Sequence, residues 1–140
     1  MRHIIAPMTP ADFPDVLALW ATTEGVGLNE SDTPENLSAY LRRNPGFSLV
    51  ARDAERRVVG AVLCGHEGRR GYLHHLAVSQ DQRGLGLGRL LVDTCLAELK
   101  SAGITRCNIF VFADNDDGMA FWKHTGWALR DDLRMMQKQL

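Results

Sequence analysis

A mixed α/β fold, built on a twisted and mostly antiparallel sheet with helices against it, is the class this sequence predicts. Two β-rich runs, Phe47 to Arg52 and Val58 to Cys64, are separated only by the charged turn Asp53-Ala54-Glu55-Arg56-Arg57, which reads as an antiparallel hairpin. A strand-like run, Tyr72 to Val78, is followed by a leucine helix and then by Ile104 to Phe112, which reads as a strand-helix-strand crossover. Antiparallel hairpins beside one crossover give a mixed sheet covered by helices.

Taken in order, His3 to Ala6 is a short apolar first strand. Thr9-Pro10-Ala11-Asp12 places a cap, a helix-compatible proline and an acid ahead of Phe13, Val16, Leu17 and Trp20. These predict an amphipathic helix from Pro10 to about Thr22. A polar, glycine-containing loop leads to Thr33-Pro34-Glu35, which opens a second helix with Leu37, Tyr40 and Leu41 on one face. After the hairpin and the third strand of the run, Leu87, Leu90, Leu91, Cys95 and Leu99 mark a helix ending at Gly103. Asp116 to His124 is a short helix, and Trp127 to Leu129 and Met135 to Gln137 are two terminal strands. The expected order is β-α-α-β-β-β-α-β-α-β-β, in one domain over residues 1–140.

Composition narrows the function classes. Charged residues make up 24 % of the chain and the formal net charge is −1, so no bulk attraction to nucleic acid or anionic lipid is expected. Three cysteines without CxxC spacing suit reduced core positions better than a disulfide frame or a zinc site, and no metal is expected. Neither a signal-peptide pattern nor a spanning apolar run is visible, so the expected location is cytoplasmic.

The most informative stretch is Gln80 to Leu91, QDQRGLGLGRLL. A glycine-rich turn between a strand and a helix lets backbone N–H groups approach an anion at the positive end of the helix. A Walker loop needs a Gly-Lys pair, and none is present. The dinucleotide fingerprint GxGxxG also fails, because Gly84, Gly86 and Gly88 are spaced GxGxG.

Arg83-Gly84-Leu85-Gly86-Leu87-Gly88, led in by Leu76-Ala77-Val78, resembles the [QR]xxGx[GA] acyl-CoA motif of the Gcn5-related N-acetyltransferase superfamily. A second block, Asn115 to Trp127, is similar to that superfamily's Asn-to-aromatic segment. The element order matches over nearly the whole chain and is nearest to small single-domain bacterial members.

The resemblance implies an acyl-CoA N-acyltransferase fold and transfer of an acetyl group from acetyl-CoA to a primary amine of a small molecule or peptide. The amides around Gly84, Leu85, Gly86, Leu87, Gly88 and Arg89 would then hold the CoA pyrophosphate, with Arg83 alongside. The backbone of Leu76, Ala77 and Val78 would pair with the pantetheine arm, and the Val78 amide would polarise the thioester carbonyl. Asn115 would contact pantetheine or cap the helix that follows it. Small members of this superfamily often form homodimers.

Strict alternation places Tyr72, His74, Leu76 and Val78 on one face of their strand and His75 and Ala77 on the other. His74 is the expected general base, because histidine titrates near neutrality, with Tyr72 beside it as a candidate. Trp122 stands where many relatives carry an acidic tyrosine, and an indole N–H donates hydrogen bonds without serving as a practical acid. It is expected to pack beside the thioester end of CoA. Trp20, Glu24, Asp32 and Tyr40 are the expected acceptor-side lining for a cationic amine. Two other readings fit the same motifs: a catalytically weak acyl-CoA sensor or interaction module, and a transferase using another acyl-CoA.

Overall fold

The computed structural model describes residues 2–140. Two compact units make up the chain, the first extending through Phe110 and the second spanning Val111–Leu140. The first contains five strands, β1 (Ile4–Pro7), β2 (Leu49–Arg52), β3 (Val58–His66), β4 (Gly71–Val78) and β5 (Cys107–Ile109). Its helices are α1 (Phe13–Ala21), α2 (Pro34–Arg43) and α3 (Leu87–Ser101), and the second unit holds α4 (Asp116–His124).

The strands lie in sequence order, β1 to β4 antiparallel and β5 parallel to β4. One face of the sheet carries Val50, Ala61, Leu63 and Ala77, packed with Phe13, Val16, Leu19 and Trp20 of α1 and Leu37 of α2. The opposite face receives α3, which buries Leu87, Leu91, Val92, Cys95 and Leu99. Contact there is close: a Cβ placed on Gly60 would lie 3.0 Å from the Leu91 side chain and 3.3 Å from Ala51. The apolar periodicity of each helix thus reads directly onto the sheet face it covers.

Several boundaries differ from the sequence reading. The segment Pro10–Asp12 is a 3-10 turn, and regular α1 begins at Phe13. Strand β2 starts at Leu49 because Ser48 uses its hydroxyl, which accepts the Cys64 N–H at 3.0 Å. Strand β5 is only three residues long where Ile104 to Phe112 was expected. Its ladder ends at Leu73–Ile109, just before β4 departs from regular pleating.

That departure is a β-bulge. Ala61 pairs with Ala77 and Leu63 with His74, so His75 and Leu76 stand opposite the single Val62. His75 takes φ +57, in the left-handed region that residues other than glycine seldom adopt. The extra residue shifts the phase of the strand. Tyr72 and His74 face α1 and α2, as does Ala77, whereas Val78, opposite Gly60, faces α3. The expectation of one shared face for Tyr72, His74, Leu76 and Val78 is therefore corrected, since strict alternation cannot pass through a bulge.

The two terminal strands do not form. Trp127 to Leu129 and Met135 to Gln137 have no ladder partner, and every residue from Ala128 on is exposed. An exposed segment without pairing gains nothing to offset the entropy of an extended conformation.

Candidate active site

The turn after β4 is anchored on both sides. Gln82 is buried, and its Oε1 lies 2.8 Å from Nε2 of His3, just ahead of β1. The Arg83 guanidinium Nε donates to the Val78 carbonyl at 3.1 Å, folding the turn back on the strand. Neither His3 nor Gln82 stood out in the sequence; only the fold brings them together across 79 positions.

Gly84 and Gly86 hold φ +80 and +81, and Gly86 is the N-cap of α3. Their α-carbons face open space, with nothing within 4 Å of where a Cβ would stand. The first helical bond of α3 is from the Leu90 N–H to the Gly86 carbonyl at 3.0 Å. Among the described residues, no carbonyl or side chain takes up the amides from Gly84 to Arg89. These N–H groups lie at the positive end of a 15-residue helix, where unpartnered donors and the helix dipole favour negative charge. Arg89 stands 3.8 Å from Asp93 one turn along, while Leu85 is exposed and Leu87 anchors the helix in the core.

Upstream, β4 has an open edge. It pairs with β5 only through Leu73, which leaves His74 to Val78 without a ladder partner on that side among the described residues. The Ser79 N–H bonds the Val59 carbonyl at 2.8 Å, so by alternation the backbone groups of Val78 point away from β3, toward this edge. Ala77 is buried and pairs with Ala61 instead.

On the α1/α2 face, the rings of His74, Tyr72 and Phe110 form a triangle, with His74 6.2 Å from each of the other two centres and those two 6.3 Å apart, all within 18° of parallel. No protein group hydrogen-bonds the His74 ring among the described residues. Burial, and then the neighbouring His75, hold His74 below the ordinary histidine value, outweighing the opposite pull of Asp32. Near neutral pH it is an uncharged base with a free ring nitrogen.

His75, which the alternation pattern placed on the far face, points to the same side. Its Nε2 lies 2.9 Å from Asp32 Oδ1, and its ring meets Trp20 edge-on at 5.0 Å. Asp32 is itself buried, and its Oδ2 accepts the Asn29 N–H at 3.0 Å. It is thus committed to two partners rather than presented to solvent. Trp20 is wholly buried in the core and lines no open surface, whereas Glu24 is exposed. The Tyr40 hydroxyl lies over β3, within 2.5 Å of where a Gly65 Cβ would stand. Burial raises its proton affinity, so it stays a phenol.

In the second unit, Asn115 caps α4, its Oδ1 accepting the Gly118 N–H at 3.0 Å. Trp122 packs edge-on against Phe121 and Trp127, with both ring centres at 5.1 Å. Cys64 is wholly buried; the neighbouring Cys95 and then burial hold it as a neutral thiol, unsuited to nucleophilic attack. Among the described residues, no group of three or more His, Cys, Asp or Glu side chains is placed to hold a metal ion.

Comparison with known proteins gives a consistent picture. The family model for the acetyltransferase (GNAT) family matches residues 13–127. An acetyltransferase of Sodalis glossinidius is 29% identical over 130 residues, covering 92% of this chain and 89% of its own length. An acetyltransferase of Yersinia pestis is 30% identical over 130 residues with the same coverage. Among solved structures, Ard1 from Thermoplasma volcanium matches with a TM-score of 0.81 at 21% identity, over 93% of this chain and 85% of that one. The PaiA N-acetyltransferase from Thermoplasma acidophilum, in complex with coenzyme A, matches with a TM-score of 0.80 at 18% identity, over 94% and 92%. Both likenesses are of fold.

Proposed function

Since this chain belongs to the acetyltransferase (GNAT) family, we propose that it transfers an acetyl group from acetyl-CoA to a primary amine. The observation that carries this reading is one of continuity. The open edge of β4 at Leu76 and Val78 runs into a turn whose amides, from Gly84 to Arg89, have no partner among the described residues. A strand-like arm ending in a pyrophosphate matches that shape, because an edge strand pairs with an extended chain and a helix start binds an anion.

Acetyl-CoA supplies an activated thioester, whose C–S bond breaks as the amine nitrogen forms the new C–N bond, CoA leaving as a thiolate that then takes up a proton. The protein's own groups do the rest. The amides of Gly84, Leu85, Gly86, Leu87, Gly88 and Arg89 hold the pyrophosphate, and the outward backbone of Leu76 holds the arm. The outward Val78 N–H donates to the thioester oxygen as negative charge develops there. A lysine-like amine is neutral in only about one molecule in a thousand near pH 7, so a base is required. His74 fills that role, with Tyr72 and Phe110 as an aromatic wall beside it.

Calorimetric titration with acetyl-CoA, beside CoA and ATP, tests the reading on wild type and Gly86→Glu. Binding of acetyl-CoA and CoA that is lost in the variant supports the cradle. A folded wild type that binds neither overturns it. A narrower reading, acyl-CoA binding without turnover, draws on Trp122, whose indole releases no proton. Binding with no acetylation across an amine library would favour it.

A further inference from the structure

His74 is unpartnered, but the histidine beside it is not. His75 occupies the bulge, in a backbone conformation that side chains seldom adopt, and its ring is held from two directions. Asp32 engages Nε2 at 2.9 Å, and Trp20 meets the ring edge-on at 5.0 Å. Asp32 comes from the 3-10 turn Glu30–Asp32, 43 positions earlier, and its second oxygen is fixed by the Asn29 N–H.

A carboxylate only accepts hydrogen bonds, so the proton of a neutral His75 sits on Nε2 and its lone pair on Nδ1. The His74 and His75 ring centres are 6.4 Å apart, on the same face of the sheet.

We propose that Asp32 and His75 form a second proton-accepting unit beside His74, in which Asp32 is a positioning residue that fixes the Nε2–H tautomer and leaves Nδ1 of His75 to take up the proton released by the attacking amine. A charged amine gives its extra proton to Nδ1 before it attacks. The proton its nitrogen sheds after the C–N bond forms goes to the departing CoA thiolate, and the Nε2–H stays on Asp32 until Nδ1 returns its proton to water. An amine that is already neutral skips the first transfer. The role rests on the acetyltransferase reading, whereas the tautomer does not. The clamp also ties the segment between α1 and α2 to the strand that carries the open edge.

The test has two arms. Long-range proton–nitrogen correlation spectra of the free protein report the imidazole tautomers, with the His75 signals assigned by their loss in His75→Asn. Wild-type His75 is expected as Nε2–H with an unprotonated Nδ1. In Asp32→Asn, which still accepts the Asn29 N–H, the signal is expected to move toward Nδ1–H. An Nδ1–H tautomer in wild type, or spectra unmoved by Asp32→Asn, would overturn the assignment.

The second arm compares acetyl transfer to n-butylamine, charged near pH 7, with transfer to hydroxylamine, which is neutral there. Asp32→Asn and His75→Asn are each expected to lower kcat about a hundredfold for the charged amine. Hydroxylamine turnover and KM for acetyl-CoA should stay nearly unchanged. Equal losses with both amines together with a raised KM would reduce the pair to a structural tie. If wild type acetylates neither probe, the acetyltransferase reading fails and the proton-accepting role fails with it. The spectra then still decide the tautomer.

Discussion

His74 and Asp12 are two single groups whose surroundings set their behaviour with pH. Burial and His75 lower the proton affinity of His74, so its neutral form persists below the ordinary histidine value of about 6.5. If it is the base, kcat/KM should rise with pH along an acid limb lying below that value. His74→Ala should remove the limb and lower kcat/KM about a hundredfold. An unchanged profile measured on any accepted amine would remove His74 from the reaction. Asp12 presents the opposite balance. Burial alone would raise its carboxyl, but the Arg52 hydrogen bond and the Thr9 N–H at 2.8 Å outweigh burial and leave it lowered. A carboxyl lowered on folding stabilises the fold fully above its unfolded value, and that contribution disappears as pH falls through the folded one. Asp12→Asn is therefore expected to cost about 2 kcal/mol at pH 7 in urea unfolding. The difference from wild type should shrink below about pH 4.

At the scale of elements, the bulge in β4 and the cap of α3 shape the site. The β4–β5 ladder ends at Leu73, just before the bulge, and the bulge turns His75 to the side His74 already faces, toward α1 and α2. The cap depends on a left-handed residue, and Gly86 supplies it without strain. Gly86→Ala meets no atom within 4 Å, so its cost is confined to the backbone, about 1 kcal/mol. The variant should fold with a slightly lowered Tm while its acetyl-CoA affinity drops, because the amide cradle must tilt to relieve the new Cβ. Undiminished affinity in calorimetry would mean that the anion lies elsewhere. Helix α4 has its own cap in Asn115, as the Asn-Asp-Asp sequence suggests, with acids in the first turn and Lys123 and His124 in the last.

For the whole molecule, the first unit carries the sheet, both helical layers, the cradle and the two histidines. Filling the cradle should therefore stabilise the folded chain by mass action. Acetyl-CoA at a hundred times its Kd contributes about 2.7 kcal/mol. For a chain of this size, that corresponds to a Tm higher by roughly 5–10 °C. Scanning calorimetry should show the same shift with CoA and none in Gly86→Glu. A shift that survives in Gly86→Glu would place the binding energy outside the glycine turn.

The sequence by itself determined the features that short stretches dictate. Glycines at positive φ, the Thr33 and Asn115 caps, and the leucine spacing of α3 act within a few residues of one another. Their meaning survives without knowledge of the rest of the chain. Tertiary structure alone decided the bulge, because it depends on β3 offering one residue, Val62, where β4 offers two. With the bulge came the turning of His75 toward Trp20 and its union with Asp32. Tertiary structure also decided that Trp20 is core rather than lining, and that the segments after Trp127 stay unpaired. Strand pairing and ring contacts are made between residues tens of positions apart, and a local pattern carries no record of which partner will stand opposite.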